Sequence, residues 1–318
     1  MKTATSPRSI MTALMFAGVG AVFAFAGTAH AAAAQSFQIS PPTANYAADP
    51  GGQSKGIVKV TNLTDTPISL NVGKQNFVAK GEEGEIELVD NANPLYSLAP
   101  WFNVVESTVD VPARATKEVH YVIDIPANAE PGGRYGTIIF SSVPPKLPTG
   151  VSGATVQQTI AGIVFQRING TAVEKLDMKS FASDQSFYEY GPIKLLARVE
   201  NTGTVHEKAV GTIKIKNMLG FTVDTIVLDE HFVIPGSIRR LHNDYPTGKK
   251  HPFLIGRYTA ELDATYGGNQ KLTASTSFVV FPWRVATAVL IGLILVFIIF
   301  WRGRKRIARA MRILAGKE

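Results

Sequence analysis

Ile57-Val58-Lys59-Val60-Thr61-Asn62-Leu63-Thr64-Asp65-Thr66-Pro67-Ile68-Ser69-Leu70-Asn71-Val72 is the stretch on which the reading of this chain turns. Apolar and polar residues alternate on both sides of a polar segment, which is the period of strands with one buried face. Asn62, Asp65 and Pro67 supply turn chemistry between them, so the stretch reads as a hairpin. The same grammar continues from Ser36 to Phe281. Short pieces rich in Val, Ile, Thr and Phe are interrupted by Gly, Pro, Asn or Asp at the roughly 8–12-residue spacing of an all-β sandwich. Nothing in that region sustains a helical period over three turns, so helices there are expected to be few and short.

Working outward, Gly81-Glu82-Glu83-Gly84 reads as a second turn between Phe77 and Ile86-Glu87-Leu88-Val89. Thr116 to Ile125 alternates, placing Val119, Tyr121, Ile123 and Ile125 on one face. Ala129 to Gly133 is a tight turn before Tyr135-Gly136-Thr137-Ile138-Ile139-Phe140, and a first domain closes near Ser142. A Pro-rich connector, Pro144 to Gly150, follows. Thr155 to Gln166 has the composition of a central strand, and the boundary falls either before it or after Gly170. In the second domain Ile193 to Glu200 is a strand, Val210 to Lys216 and Phe221 to Leu228 flank the Met218-Leu219-Gly220 bend, and Arg257 to Tyr266 pairs with Lys271 to Val280 around Gly267-Gly268-Asn269. Val60-Thr61-Asn62-Leu63-Thr64 and Val199-Glu200-Asn201-Thr202-Gly203-Thr204 repeat one local phrase, explained by the tolerance of Asn for a left-handed turn. The plan is all-β, with two immunoglobulin-like sandwiches in tandem over 35–150 and 151–281.

The ends carry different signals. Residues 1–34 hold Lys2 and Arg8, an apolar run from Ile10 to Ala26 and Ala29-His30-Ala31, the pattern of a signal peptide cleaved between Ala31 and Gln35. Residues 283–301 read as one transmembrane helix: Val285 to Trp301 has no charge, and Trp283 and Trp301 bracket it as interfacial anchors. Arg302, Arg304, Lys305 and Arg306 open a basic tail, 302–318, which is expected in the cytoplasm with the bulk of the chain outside. The formal charge of +7 lies in these ends: taking away +6 for the tail and +2 for the signal segment leaves −1, so the exported region lacks a nucleic-acid footprint. With no cysteine, the exported part must be held by its core alone, and thiol chemistry and lipidation at the cleavage site are excluded.

Catalytic signatures such as Gly-x-Ser-x-Gly and His-Glu-x-x-His are missing, so no enzyme, catalytic residue or cofactor is expected. His231, His242 and His251 lie among Arg239, Arg240, Lys249 and Lys250, which reads as a solvated basic loop able to meet an anionic polymer rather than a metal site. Glu82 to Asp90 is acidic, but its spacing matches no calcium loop and it reads as a solvated hairpin. Pro94 to Phe102 is rich in large apolar groups. Tyr96, Trp101 and Phe102, with Arg239 and Arg240, are therefore the candidate ligand-binding residues, against the alternative that Trp101 and Phe102 enter the core as a strand begins.

Phe37-Gln38-Ile39-Ser40-Pro41-Pro42, Pro50-Gly51-Gly52, Val58 to Thr64, Val111-Pro112 and Pro126 through Pro131-Gly132-Gly133-Arg134-Tyr135-Gly136, together with the order of segments, resemble the cell-surface proteins encoded beside WxL proteins in Gram-positive bacteria. The second domain is similar only in position and strand pattern. The resemblance implies a peptidoglycan-binding first domain and a second domain that binds WxL or host partners. The same turn features occur in PapD-like chaperones. Two functions follow as expectations: a membrane-anchored surface protein attaching to peptidoglycan, another wall polymer or a surface protein, or a membrane-tethered envelope chaperone that pairs with a partner strand.

Overall fold

The computed structural model describes residues 35–144, 156–245 and 255–314, with side chains of the last stretch as far as Arg304. The signal segment, the connector from Pro145 to Gly150, the loop holding Lys249, Lys250 and His251, and the side chains of Lys305 and Arg306 lie outside the described residues. The described chain forms two immunoglobulin-like β-sandwiches in tandem, then one helix.

The first sandwich contains β1 (Phe37–Ser40), β2 (Thr43–Ala48), β3 (Gln53–Asn62), β4 (Ile68–Lys80), β5 (Glu85–Val89), β6 (Phe102–Val104), β7 (Thr108–Val111), β8 (Thr116–Asp124), β9 (Gly132–Ser142) and β10 (Thr159–Ile168). One sheet runs β1-β3-β8-β6; the other runs β2-β10-β9-β4-β5, with β7 also beside β4. The alternation of β3 and β8 does what their sequences require: Val58, Val60, Val119, Tyr121 and Ile123 are buried against Leu70, Val109, Phe140 and Val164 of the opposite sheet. Each such side chain contributes about 1.5–3 kcal/mol when fully buried.

The expected hairpin around Asn62 to Pro67 is corrected. β3 pairs with β1 and β8, whereas β4 pairs with β5, β7 and β9, so the turn crosses from one sheet to the other. Alternation specifies which face of a strand is buried, and inner faces of two opposed sheets look alike in sequence. The side chain of Asn62 holds the crossing: Nδ2 donates to Thr66 O, Val111 O and Pro112 O, and Oδ1 accepts from the Thr64 N–H. Asn201 does the same in the second sandwich, donating to Val205 O and Val233 O and accepting from Gly203 N–H. Neither residue has a positive φ, so the repeated phrase reflects amide hydrogen bonding of buried carbonyls rather than left-handed backbone.

β10 pairs antiparallel with β9 over its whole length and parallel with β2 from Ile163 to Ile168, which puts this strand in the first sandwich. The second sandwich contains β11 (Leu176–Ser183), β12 (Phe187–Tyr188), β13 (Ile193–Asn201), β14 (Val210–Asn217), β15 (Thr222–Val227), β16 (Ile238–Tyr245), β17 (Gly256–Tyr266) and β18 (Gln270–Val280). Its sheets are β11-β13-β16 and β12-β18-β17-β14-β15; the hairpin expected at β17–β18 is present, and β14 pairs with β15 across the Met218-Leu219-Gly220 bend. Leu195, Ala197, Val199, Ile213, Ile215, Leu262 and Phe278 fill the core.

α1 (Trp283–Leu314) begins three residues after β18. Its segment Trp283–Arg304 is long and apolar enough to cross a membrane, and none of that stretch is buried against the protein. Arg284 and Arg304 lie over the Trp283 and Trp301 rings, 5.4 and 5.5 Å from their centroids.

Candidate functional site

β9 and β10 are buried on both faces over much of their length, which an alternating strand would not be. Phe165, Tyr135 and Phe77 form a ladder across β10, β9 and β4 on the outer face of the sheet, each ring edge-on to the others. Phe232 and Ile234 of the second sandwich pack on this ladder. His206 is inserted among Tyr135, Phe165 and Phe232, at 5.7, 5.0 and 5.1 Å between ring centres. Its Nε2 donates to Asn45 Oδ1 at 3.0 Å, which leaves Nδ1 buried without a partner, so a second proton there would have no acceptor. Burial, helped by the nearby Arg167, pushes its pKa down to about 4.

Polar contacts ring this apolar seam. Glu82 pairs with Arg198 through both carboxylate oxygens and with Arg240, and Glu83 pairs with Arg240 and His242. The Arg240 N–H also donates to Glu82 O at 2.8 Å, so the tip of the β4–β5 hairpin covers part of the β16 edge. The acidic stretch and the basic stretch read separately as solvated segments are therefore partners of each other. Arg167 adds pairs to Glu174 and Glu207, and the Gly133 N–H donates to Thr204 O at 2.9 Å. Between hairpin and β16 remains a cavity of about 200 Å³, lined by Phe77, Ile86, Phe165, Phe232 and Arg239. The Arg239 Nε is buried there without a hydrogen-bond partner.

The residues singled out by sequence scatter. Phe102 is 3% exposed and opens β6 in the first core, edge-on to Tyr121 at 5.7 Å. Trp101 is half-buried on the same core, with the Arg134 guanidinium 5.4 Å from its ring. Tyr96 leans on Tyr135 at the edge of the inter-sandwich seam. Arg239 faces the cavity and Arg240 the acidic hairpin, so the five residues do not form one surface. The ladder and His206 were not picked out as functional. The signal for Phe165 was the apolar run from Ile160 to Phe165 in β10, which marks a strand covered on both sides.

A different feature of β10 is the edge of its first half, which no described strand pairs with. β1 belongs to the opposite sheet, and the chain crosses at Pro41-Pro42 into β2, which pairs with β10 only from Ile163 onward; the Ile163 N–H donates to Pro42 O at 2.9 Å. Two and four residues earlier, Ala161 and Thr159 point their N–H and C=O groups the same way, because such groups alternate between neighbours along a strand. Among the described residues no strand occupies that side of Thr159 to Gly162. Ile39 and Ile160, only partly buried, pack on the first core nearby.

No protein-family model and no curated protein matches this chain. Some solved structures are similar to it over most of its length. The YadV chaperone is 12% identical with a TM-score of 0.37, over 77% of this chain and 100% of that one. The E. coli chaperone DraB is 15% identical with a TM-score of 0.36, over 77% and 96%. The Salmonella enterica SafA pilin in complex with the SafB chaperone gives 13% and 0.37, over 77% and 96%. The resemblance to WxL-associated proteins is thereby corrected: turn chemistry common to many sandwiches carried it, and the structures named here are chaperones rather than WxL domains. The expectation of a peptidoglycan-binding surface protein falls with it.

Proposed function

We propose that this chain is a membrane-tethered, non-enzymatic assembly factor of the cell envelope that receives a strand of an exported polypeptide beside the first half of β10. The observation that carries this reading is that, among the described residues, no strand pairs with the first half of the β10 edge, where two residues face outward next to partly exposed core side chains, while β2 pairs with the rest of that edge. An added strand would satisfy four backbone groups, at about 0.5–1.5 kcal/mol net for each hydrogen bond. Backbone pairing alone thus reaches only about millimolar affinity. Side chains of the guest lying over Ile39 and Ile160 supply the remainder, and such holding suits a partner that is later released. In this reading α1 crosses the membrane with its basic end in the cytoplasm, and the sandwiches stand outside.

A photoactivatable benzophenone side chain placed at Thr159 in the native host tests the proposal. An adduct with an exported polypeptide is expected, and it should vanish in the Ala161→Pro background. That substitution removes an outward N–H while sparing the ladder to β9. An adduct that survives Ala161→Pro, or none at Thr159 under conditions where a control probe at Lys271 behaves identically, overturns strand pairing at this edge.

A further inference from the structure

The strand register brings one hairpin of the second sandwich to the foot of the helix. Asn217, at the end of β14, pairs with Tyr258, and Gly256, at the start of β17, pairs with Val280, three residues before Trp283. Met218 Cε approaches to 3.7 Å from the point where a side chain at Gly256 would begin. At a strand spacing of about 4.8 Å, the β14–β15 turn is roughly 10 Å from the end of β18. That turn carries Met218, Leu219 and Phe221 with exposures of 70, 73 and 66%. Asn217 Oδ1 accepts from the Leu219 and Phe221 N–H groups, so the turn presents its apolar side chains on a structured backbone.

More apolar surface lies at the same end. Tyr190, Ile255 and Phe281 are all exposed. Tyr188 pairs with Val280, which places Tyr190 there, and Glu189 meets Arg284 of the helix at 3.4 Å. By contrast the outer face of β14 and β17 carries charge, with Lys216 paired to Glu261, and the exposed apolar groups of β14 and β15 are the smaller Val210, Val223 and Val227. Three large apolar groups on one hairpin tip are costly in water unless something covers them. What adjoins them here is the point where the chain turns into its apolar helix, marked by Trp283, a side chain that favours the membrane interface.

We infer that the Met218–Phe221 turn inserts into the interfacial layer of the bilayer and, with α1, fixes the tilt of the sandwiches over the membrane. A helix alone would leave them free to swing; a second contact holds the β10 edge at a set height. The inference rests on the membrane span proposed for α1.

The absence of cysteine makes the test clean. Single-cysteine full-length proteins, Leu219→Cys, Ile294→Cys and Lys271→Cys, are labelled with an environment-sensitive fluorophore and reconstituted in phosphatidylcholine–phosphatidylglycerol vesicles. The label at 219 is expected to emit blue-shifted and to be quenched by shallow spin-labelled lipid, with iodide quenching reduced several-fold relative to 271. A wet label at 219 beside a lipid-buried label at 294 overturns the insertion and leaves the span standing. A wet label at 294 overturns both. A label at 219 that is shielded from iodide but untouched by spin-labelled lipid shows a protein contact there, which also overturns the inference.

Discussion

Acidification should loosen the seam between the sandwiches through one side chain. His206 is neutral in the folded protein, with its pKa pushed down to about 4 from an ordinary 6.5, so unfolding takes up a proton at any pH between these values. Stability attributable to this ring is fully present above pH 6.5, falls as pH drops below it, and is lost by about pH 4. At pH 5 the loss is about 2 kcal/mol, set by the ratio of protonated to neutral ring in the two states. Glu207 beside it runs the other way, since burial and Glu174 raise its pKa and its cost lightens as pH falls. The wild-type slope alone therefore understates His206. The assay is urea unfolding of the detergent-solubilised chain at pH 7.5 and pH 5, compared with His206→Gln, whose amide can still donate to Asn45. The wild type should lose about 2 kcal/mol more than the variant between the two pH values. Equal losses would mean that the ring is hydrated in solution and that the aromatic seam is not closed as described.

Other outcomes follow from the same contacts. Phe165→Ala removes the central rung of the ladder and should cost about 3–4 kcal/mol by thermal or urea unfolding. Glu82→Gln, at the polar rim, should cost far less and its effect should disappear at high salt. Asn201→Ala strands the Val205 and Val233 carbonyls and the Gly203 N–H, with an expected loss of roughly 2–4 kcal/mol in the same assay. Gly84 has φ +84° and a Cβ there would overlap the Arg239 guanidinium, so Gly84→Ala should cost about 1–2 kcal/mol from the backbone while Arg239 swings aside, read as a lowered melting temperature.

Much was readable from residues alone. Period-two alternation in β3, β8, β14 and β17 reports burial of one face, a local property that each strand carries with it, and the uncharged run before Arg302 is a helix long enough to cross a membrane wherever the rest of the chain folds. Only the tertiary structure decided which sheet each strand joined. The Asn62 turn shows why: an inner-facing Val is equally satisfied by either sheet, and the choice rests on amide hydrogen bonds to β7, distant in sequence. The same holds for the site. Glu82 and Arg240 each read as solvated charges until folding set them face to face, and among the described residues the β10 edge beside Thr159 is unpaired because the chain enters β2 only after Pro41-Pro42, a consequence of chain path rather than of any motif. Local patterns record what a residue wants to bury or expose; partners across the fold are fixed by geometry that no single stretch contains.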